Sequence, residues 1–212
     1  MSASNTKNGP LSKWSIYKNF ILLISLCLWV SPAAAAESPR SVVQKGTDQV
    51  LNILKQNPGN SRADRKQIQS VVNGYFDFER MSRLAVGPRW KSVSQEKRQE
   101  FTHQFSKLLF NTYIGDIEKY AGQKITYSTK SKSPGSAVIE ASIYNEGNPI
   151  YLDYFLYPKD GTWKVYDVSV SGVSLAVNYH AQFNSILTNG SFQELLSALK
   201  RKNAQLCSSG RC

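Results

Sequence analysis

Between residues 40 and 120 the apolar positions recur at steps of three and four, and after Gly122 they recur at steps of two. The change of period divides the chain into a helical part and a stranded part. Val43, Thr47, Val50, Leu51 and Leu54 keep one helical face, which "NPGN" at 57–60 brings to a stop. Ser61, with Asp64 three residues on, makes a capping-box-like start to a second helix, striped by Ile68, Val71, Val72, Tyr75 and Phe76. "FDFERMSRLAVG" continues as a helix or turn-helix that ends at Gly87-Pro88. A long amphipathic helix follows at about 94–120. Phe101, Phe105, Leu108, Leu109, Tyr113, Ile117 and Tyr120 lie on its apolar side, with Glu100, Gln104, Lys107 and Asp116 opposite.

Beyond Gly122 the alternation predicts four strands joined by short turns, hence antiparallel neighbours, with hairpin signals at 145–149 and 158–161. Ile139, Ala141 and Ile143 share a face of the second strand. In the third, Ile150, Leu152, Tyr154 and Leu156 share one face, while Tyr151, Asp153, Phe155 and Tyr157 take the other. In the fourth, a bulge near Asp167 would bring Trp163 and Val165 onto the same side as Val168 and Val170. The end is helical again. Ser174 caps a stripe of Leu175, Tyr179, Phe183, Ile186 and Leu187, and the capping box Ser191/Glu194 precedes Phe192, Leu195, Leu196 and Leu199. Lys200, Arg201 and Lys202 read as a last turn, where positive charge suits the helix dipole. The order predicts an α+β domain, with helices packed on one face of a curved antiparallel sheet of about four strands and room for a gap between the layers.

The most apolar run, residues 20–30, is about half the roughly 20 residues a membrane-spanning helix needs. Lys7, Lys13 and Lys18 precede it, Ser31-Pro32 break it, and alanines 33–36 follow. This is the pattern of a cleavable secretory signal, residues 1–36, with cleavage after Ala36. An uncleaved anchor is the weaker reading. The remainder divides into one domain, 37–204, and a flexible Cys-containing tail, 205–212.

Without the three signal lysines, 23 Lys and Arg face 15 Asp and Glu, a formal charge of +8. In an exported protein this charge suits anionic lipid surfaces or acidic protein patches, or is a solvated face, and nucleic acid is not expected as a partner. Cys207 and Cys212 can pair in an oxidising compartment or stand as two tail thiols; the sequence leaves both open.

No catalytic residues and no metal site are expected. His103 and His180 lack metal-ligand spacing, and no nucleophile motif is present. Glu140, Asp153 and Asp167 fall among the strands, which leaves a hydrolase using strand carboxylates as the alternative. What remains is apolar and aromatic, and the stripes alone do not separate a solid core from a lined cavity.

Two stretches, "YFDFERMSRLAVGPRWKSVSQEKRQEFTHQFSKLLFNTY" at 75–113 and "GTWKVYDVSVSGVSLAVNYHAQF" at 161–183, resemble the MlaC family, also called the toluene-tolerance Ttg2D family. Phe76, Asp77, Phe78, Met81, Leu84, Gly87 and Trp90 match the first motif. Trp163, Val165, Asp167, Val168, Gly172, Ser174, Leu175, Tyr179 and Phe183 match the second. One departure is His180, where the family usually has arginine.

The resemblance implies a periplasmic phospholipid carrier, expected to be a monomer and not an enzyme. Its expected partners are an outer-membrane lipoprotein-porin complex and an inner-membrane ABC-type Mla transporter complex, and it would help keep phospholipid out of the outer leaflet. It would need no cofactor, only bound phospholipid as cargo, with acyl chains between sheet and helices and the head group in water. The expected lining is Ile139, Ile143, Leu152, Tyr154, Leu156 and Val165 on the sheet, facing Phe78, Met81, Leu84, Phe105, Leu109, Tyr113, Leu175 and Tyr179 on the helices.

Overall fold

The structure, a computed structural model, describes residues 37–56, 62–145 and 148–212. The expected signal, the "NPGN" stop and the Ser61 cap lie outside the described residues. The helices are α1 (Pro39–Gln56), α2 (Arg62–Tyr75), α3 (Phe78–Val86), α4 (Gln95–Lys119), α5 (Leu175–Asn189) and α6 (Phe192–Ser208), with a 3-10 turn at Gly87–Ser92. The strands are β1 (Lys124–Ser133), β2 (Ser136–Asn145), β3 (Asn148–Lys159), β4 (Thr162–Val170) and the two-residue β5 (Val173–Ser174). They form one antiparallel sheet in sequence order, so the expected four strands gain a short fifth.

Turn chemistry fixes the register. Asp160-Gly161 and Ser171-Gly172 have positive φ at both central residues, as two-residue hairpins joining right-twisted strands require. The expected bulge is present: Phe155 pairs with Asp167 and Leu156 with Val165, leaving Tyr166 as the extra residue. Val165 and Val168 are therefore both buried in one cluster with Val42, Val43, Ile139 and Leu156.

Two elements depart from the sequence reading. Helix α4 is apolar on more than one side. Phe101, Phe105 and Leu108 pack among α3, α5 and α6, while Phe110 and Ile114 pack on Ile53, Leu54 and Ile68 of α1 and α2. Its polar side is partly covered too, since Asn203 Nδ2 donates to Gln104 O at 2.9 Å.

Helix α6 runs on to Ser208, which puts Lys200, Arg201 and Lys202 inside it rather than in a last turn, and Lys200 forms an ion pair with Glu100. Gln205–Ser208 are helical, not a flexible tail, and Leu206 is buried. Cys207 and Cys212 are disulfide-bonded. Arg65 holds the loop they close, donating to Gly210 O and bridging to Glu118 Oε1 at 2.8 Å. In α5, Ile186 lies on the exposed side rather than on the expected stripe.

Gly87 ends α3 with φ 71°, and an added Cβ would lie 2.6 Å from His180 Cε1. The His180 ring is fixed there by Nδ1 at 3.1 Å from Ala85 O. Gly87→Ala is expected to cost about 2 kcal/mol, from positive φ and the clash together, and to lower Tm by about 4–8 °C. Thermal unfolding checks this. Part of the loss should return in a Gly87→Ala/His180→Ala double variant, which removes the clash but not the backbone strain.

Candidate functional site

Between the sheet and helices α1, α2 and α4 lies an apolar cavity of about 350 Å³. Period-2 alternation turns Ala141 and Ile143 of β2, Ile150, Leu152 and Tyr154 of β3, and Val165, Val168 and Val170 of β4 toward it. The helical side comes from Met81 of α3, Leu109 and Tyr113 of α4, and Val43, Thr47 and Val50 of α1. Toward the Tyr120 end the lining residues Ile150, Leu152, Val170 and Tyr120 are partly exposed, as are Phe76 and Phe78 at the other end.

Of the expected lining residues, Phe78, Met81, Leu109, Tyr113, Ile143, Leu152, Tyr154, Val165 and Leu175 border this cavity. Five do not. Ile139 and Leu156 are fully buried where Val42 and Val43 of α1 pack directly onto the sheet. Phe105 and Tyr179 face each other, ring centroids 5.1 Å apart, in the helical cluster. Leu84 is 43% exposed, because the two-turn helix α3 spends its inner face on Met81 and Ala85. Missing from the expectation were α1 and α2, which form a whole wall. The stripe of Val43, Thr47, Val50 and Leu51 was the available signal, but it said nothing of what that face meets.

The Tyr154 and Tyr113 phenols of the lining stay protonated. Burial pushes the Tyr154 phenol well above its ordinary range, with Tyr127 adding to the effect, while the nearby Thr47 hydroxyl, which donates to Val43 O at 2.9 Å, opposes it. Burial likewise raises Tyr113, with smaller contributions from Tyr179 and Asp116.

Beyond the stacked rings of Phe76 and Phe78 (centroids 5.4 Å, 14° between planes) lies a second, polar cleft of about 430 Å³. Asp77, Arg98, His103, Lys159 and Lys164 line it. Asp77 is its buried anchor. Its carboxylate accepts from Arg80 N at 2.9 Å, from Lys159 Nζ at 2.8 Å and from the Tyr157 hydroxyl. Burial opposes ionisation of Asp77, but these hydrogen bonds outweigh it and hold the carboxyl below its ordinary value. Arg80 stacks its guanidinium over Tyr157 and Tyr166, at 3.8 and 4.4 Å from the ring centroids.

The strand carboxylates do not converge on the cavity. Glu140 and Asp153 are cross-strand neighbours on the opposite face of the sheet, both held by Lys130 at 3.2 and 3.0 Å. Asp167 is buried and accepts from Val168 N, Ala176 N and the Ser174 hydroxyl, which ties β4 to the start of α5. Among the described residues no group of three or more His, Cys, Asp or Glu is placed to hold a metal ion. No described helix is long and apolar enough to cross a membrane.

The family model for MlaC protein matches residues 44–201. The chain belongs to the MlaC family. It is 26% identical to the intermembrane phospholipid transport system binding protein MlaC of Haemophilus influenzae, over 92% of this chain and 95% of that one. It is 25% identical to toluene tolerance protein ttg2D of Pseudomonas putida, over 76% of this chain and 79% of that one. Among solved structures, a phospholipid-binding protein from Ralstonia solanacearum, in complex with a phospholipid, superimposes with a TM-score of 0.75 at 28% identity. The match covers 81% of this chain and 99% of the Ralstonia chain.

Against the MlaC pattern, the motif residues divide by task. Asp77, Gly87, Asp167 and Ser174 build joints between elements, whereas Phe78, Met81, Val165, Val168 and Leu175 border the cavity. His180 lies against the end of α3 rather than in the cavity.

Proposed function

We propose that this protein is a periplasmic phospholipid carrier without catalytic residues. Residues 1–36 would be a signal removed on export, and the acyl chains would lie in the cavity between sheet and helices. The observation that carries the reading is that cavity, in a fold shared with a relative solved in complex with a phospholipid. The name of one curated relative points the same way, to phospholipid transport between membranes.

The energetics explain why such a protein is needed. A buried CH₂ is worth about 0.8 kcal/mol, so exposing one chain of about 16 carbons costs roughly 12 kcal/mol. Free diffusion of a two-chain lipid across water is therefore negligible. A lining of Leu, Ile and Val replaces the lost bilayer contacts, and neutral tyrosine hydroxyls near the mouth offer donors without a buried charge. The proposed exchange partners are an outer-membrane lipoprotein-porin complex and an inner-membrane ABC-type Mla transporter complex. The carrier is a monomer in this scheme, and its basic surface speeds encounter with acidic patches. Its contribution is to keep phospholipid out of the outer leaflet. No observation favours the hydrolase alternative, since Asp153 and Asp167 are both engaged away from the cavity.

Native mass spectrometry of the mature protein, purified from periplasm without detergent, tests the proposal. A stoichiometric added mass that resolves into phospholipid is expected. Empty protein that also takes up no labelled lipid from vesicles would refute it.

A further inference from the structure

The apolar cavity and the polar cleft share four lining residues, Asn73, Phe76, Phe78 and Ser106, and the two stacked rings are the bulk of the partition. Phe76 packs on the sheet-side cluster and Phe78 on the helical cluster, so their stack closes the seam between the two halves of the lining. Both are held rigidly. Phe76 bridges to the edge of β4, with Asp77 N donating to Val165 O at 2.8 Å. Phe78 is the first residue of α3, whose cap Asp77 is pinned by Lys159 and Tyr157.

We propose that lipid enters at the Tyr120 end and that the Phe76–Phe78 stack is the end-stop of the cavity, setting the length of acyl chain it accepts. The inference rests on reading the cavity as the lipid site. Between Ser106, level with the stack, and Tyr120 at the entry end, α4 rises about 21 Å. A fully extended chain of about 16 carbons is roughly 20 Å long, more than the depth of about 15 Å of one leaflet's acyl region, where chains are kinked. A chain of ordinary length entering from the Tyr120 end thus reaches toward the rings. A longer one would have to pass them, and its terminus would strip water from Lys159, Asp77 and Arg98 without pairing them.

The experiment compares lipids co-purifying with wild type, F78A and F78W, each exported as the full chain, by native mass spectrometry and acyl-chain analysis. F78A vacates the space the ring fills short of the polar groups, and species two carbons longer should be enriched by up to about an order of magnitude over wild type, since each methylene that the wild-type stop leaves unburied costs about fourfold. F78W thickens the stop and should deplete the longest species; it also keeps the test open if F78A does not fold. Lipid-filled variants with the wild-type acyl distribution would overturn the end-stop alone. So would a changed head-group composition at unchanged acyl length, which would assign the polar cleft to the head group. A wild-type protein without lipid would overturn both this inference and the carrier reading.

Discussion

Leu152→Asp is expected to yield a folded protein that co-purifies without lipid. Leu152 lies on β3 between Ala141 and Val170, all three facing the cavity, and it is partly exposed toward the Tyr120 end. A carboxylate there can keep water, so the fold loses little. The bound chain loses its contacts with that stretch of wall, and displacing about four methylenes at about 0.8 kcal/mol each weakens binding by more than a hundredfold. Leu109→Asp would abolish lipid content for a different reason. Leu109 is 6% exposed and belongs to the helical cluster as well as to the cavity lining, so a charge there attacks the core first. Circular dichroism beside lipid extraction separates the two cases. Unchanged lipid content in well-folded Leu152→Asp would remove the sheet face from the binding site.

The sheet half of the site was legible because strands have period two. Once Ile139, Ala141 and Ile143 are apolar and Glu140 is charged, only one face can be inward, and the same holds for Leu152 and Tyr154 against Asp153. Even the Tyr166 bulge follows from Val165 and Val168 needing the same side. The helical half was less legible. A helical stripe says which residues are covered, not what covers them. Phe105 and Tyr179 fit the same pattern as Leu109 and Tyr113, yet the first pair meets other helices and the second meets the cavity. Leu84 shows the limit of a two-turn helix, where a one-residue difference in phase moves a side chain from inside to outside. The length of α6 was misread because "KRK" resembles a helix end, whereas Leu199, Asn203 and Leu206 carry the buried stripe onward at steps of four and three.

Asp77→Asn is expected to lower stability by about 2–3 kcal/mol near neutral pH and to flatten the acid side of the stability profile. The carboxylate performs three tasks at once. It caps α3 through Arg80 N, orients the Tyr157 hydroxyl, and neutralises Lys159. Loss of a cap alone costs about 1 kcal/mol, and an asparagine can still serve as one, so most of the loss comes from the broken charge pair. The loss falls below that of a fully buried pair because Lys159 keeps 39% of its side chain in water. For a chain of this size, Tm should fall by about 4–12 °C. The sign with pH follows from the depressed carboxyl. The unfolded chain titrates Asp77 near its ordinary value of about 4, and the folded chain lower. The folded state therefore binds fewer protons in that window, and its extra stability is complete above the unfolded value and lost as pH falls through the folded one. Lys159, raised chiefly by its hydrogen bond to Asp77, gives the mirror image: its share is present below the ordinary lysine value and lost as pH rises through the folded one. Thermal unfolding from pH 2 to 8 reads the acid limb. Wild type and Asp77→Asn should differ most near neutrality and converge as the acid limit is approached. Parallel curves with a constant gap would mean that the side chain acts through shape, not charge.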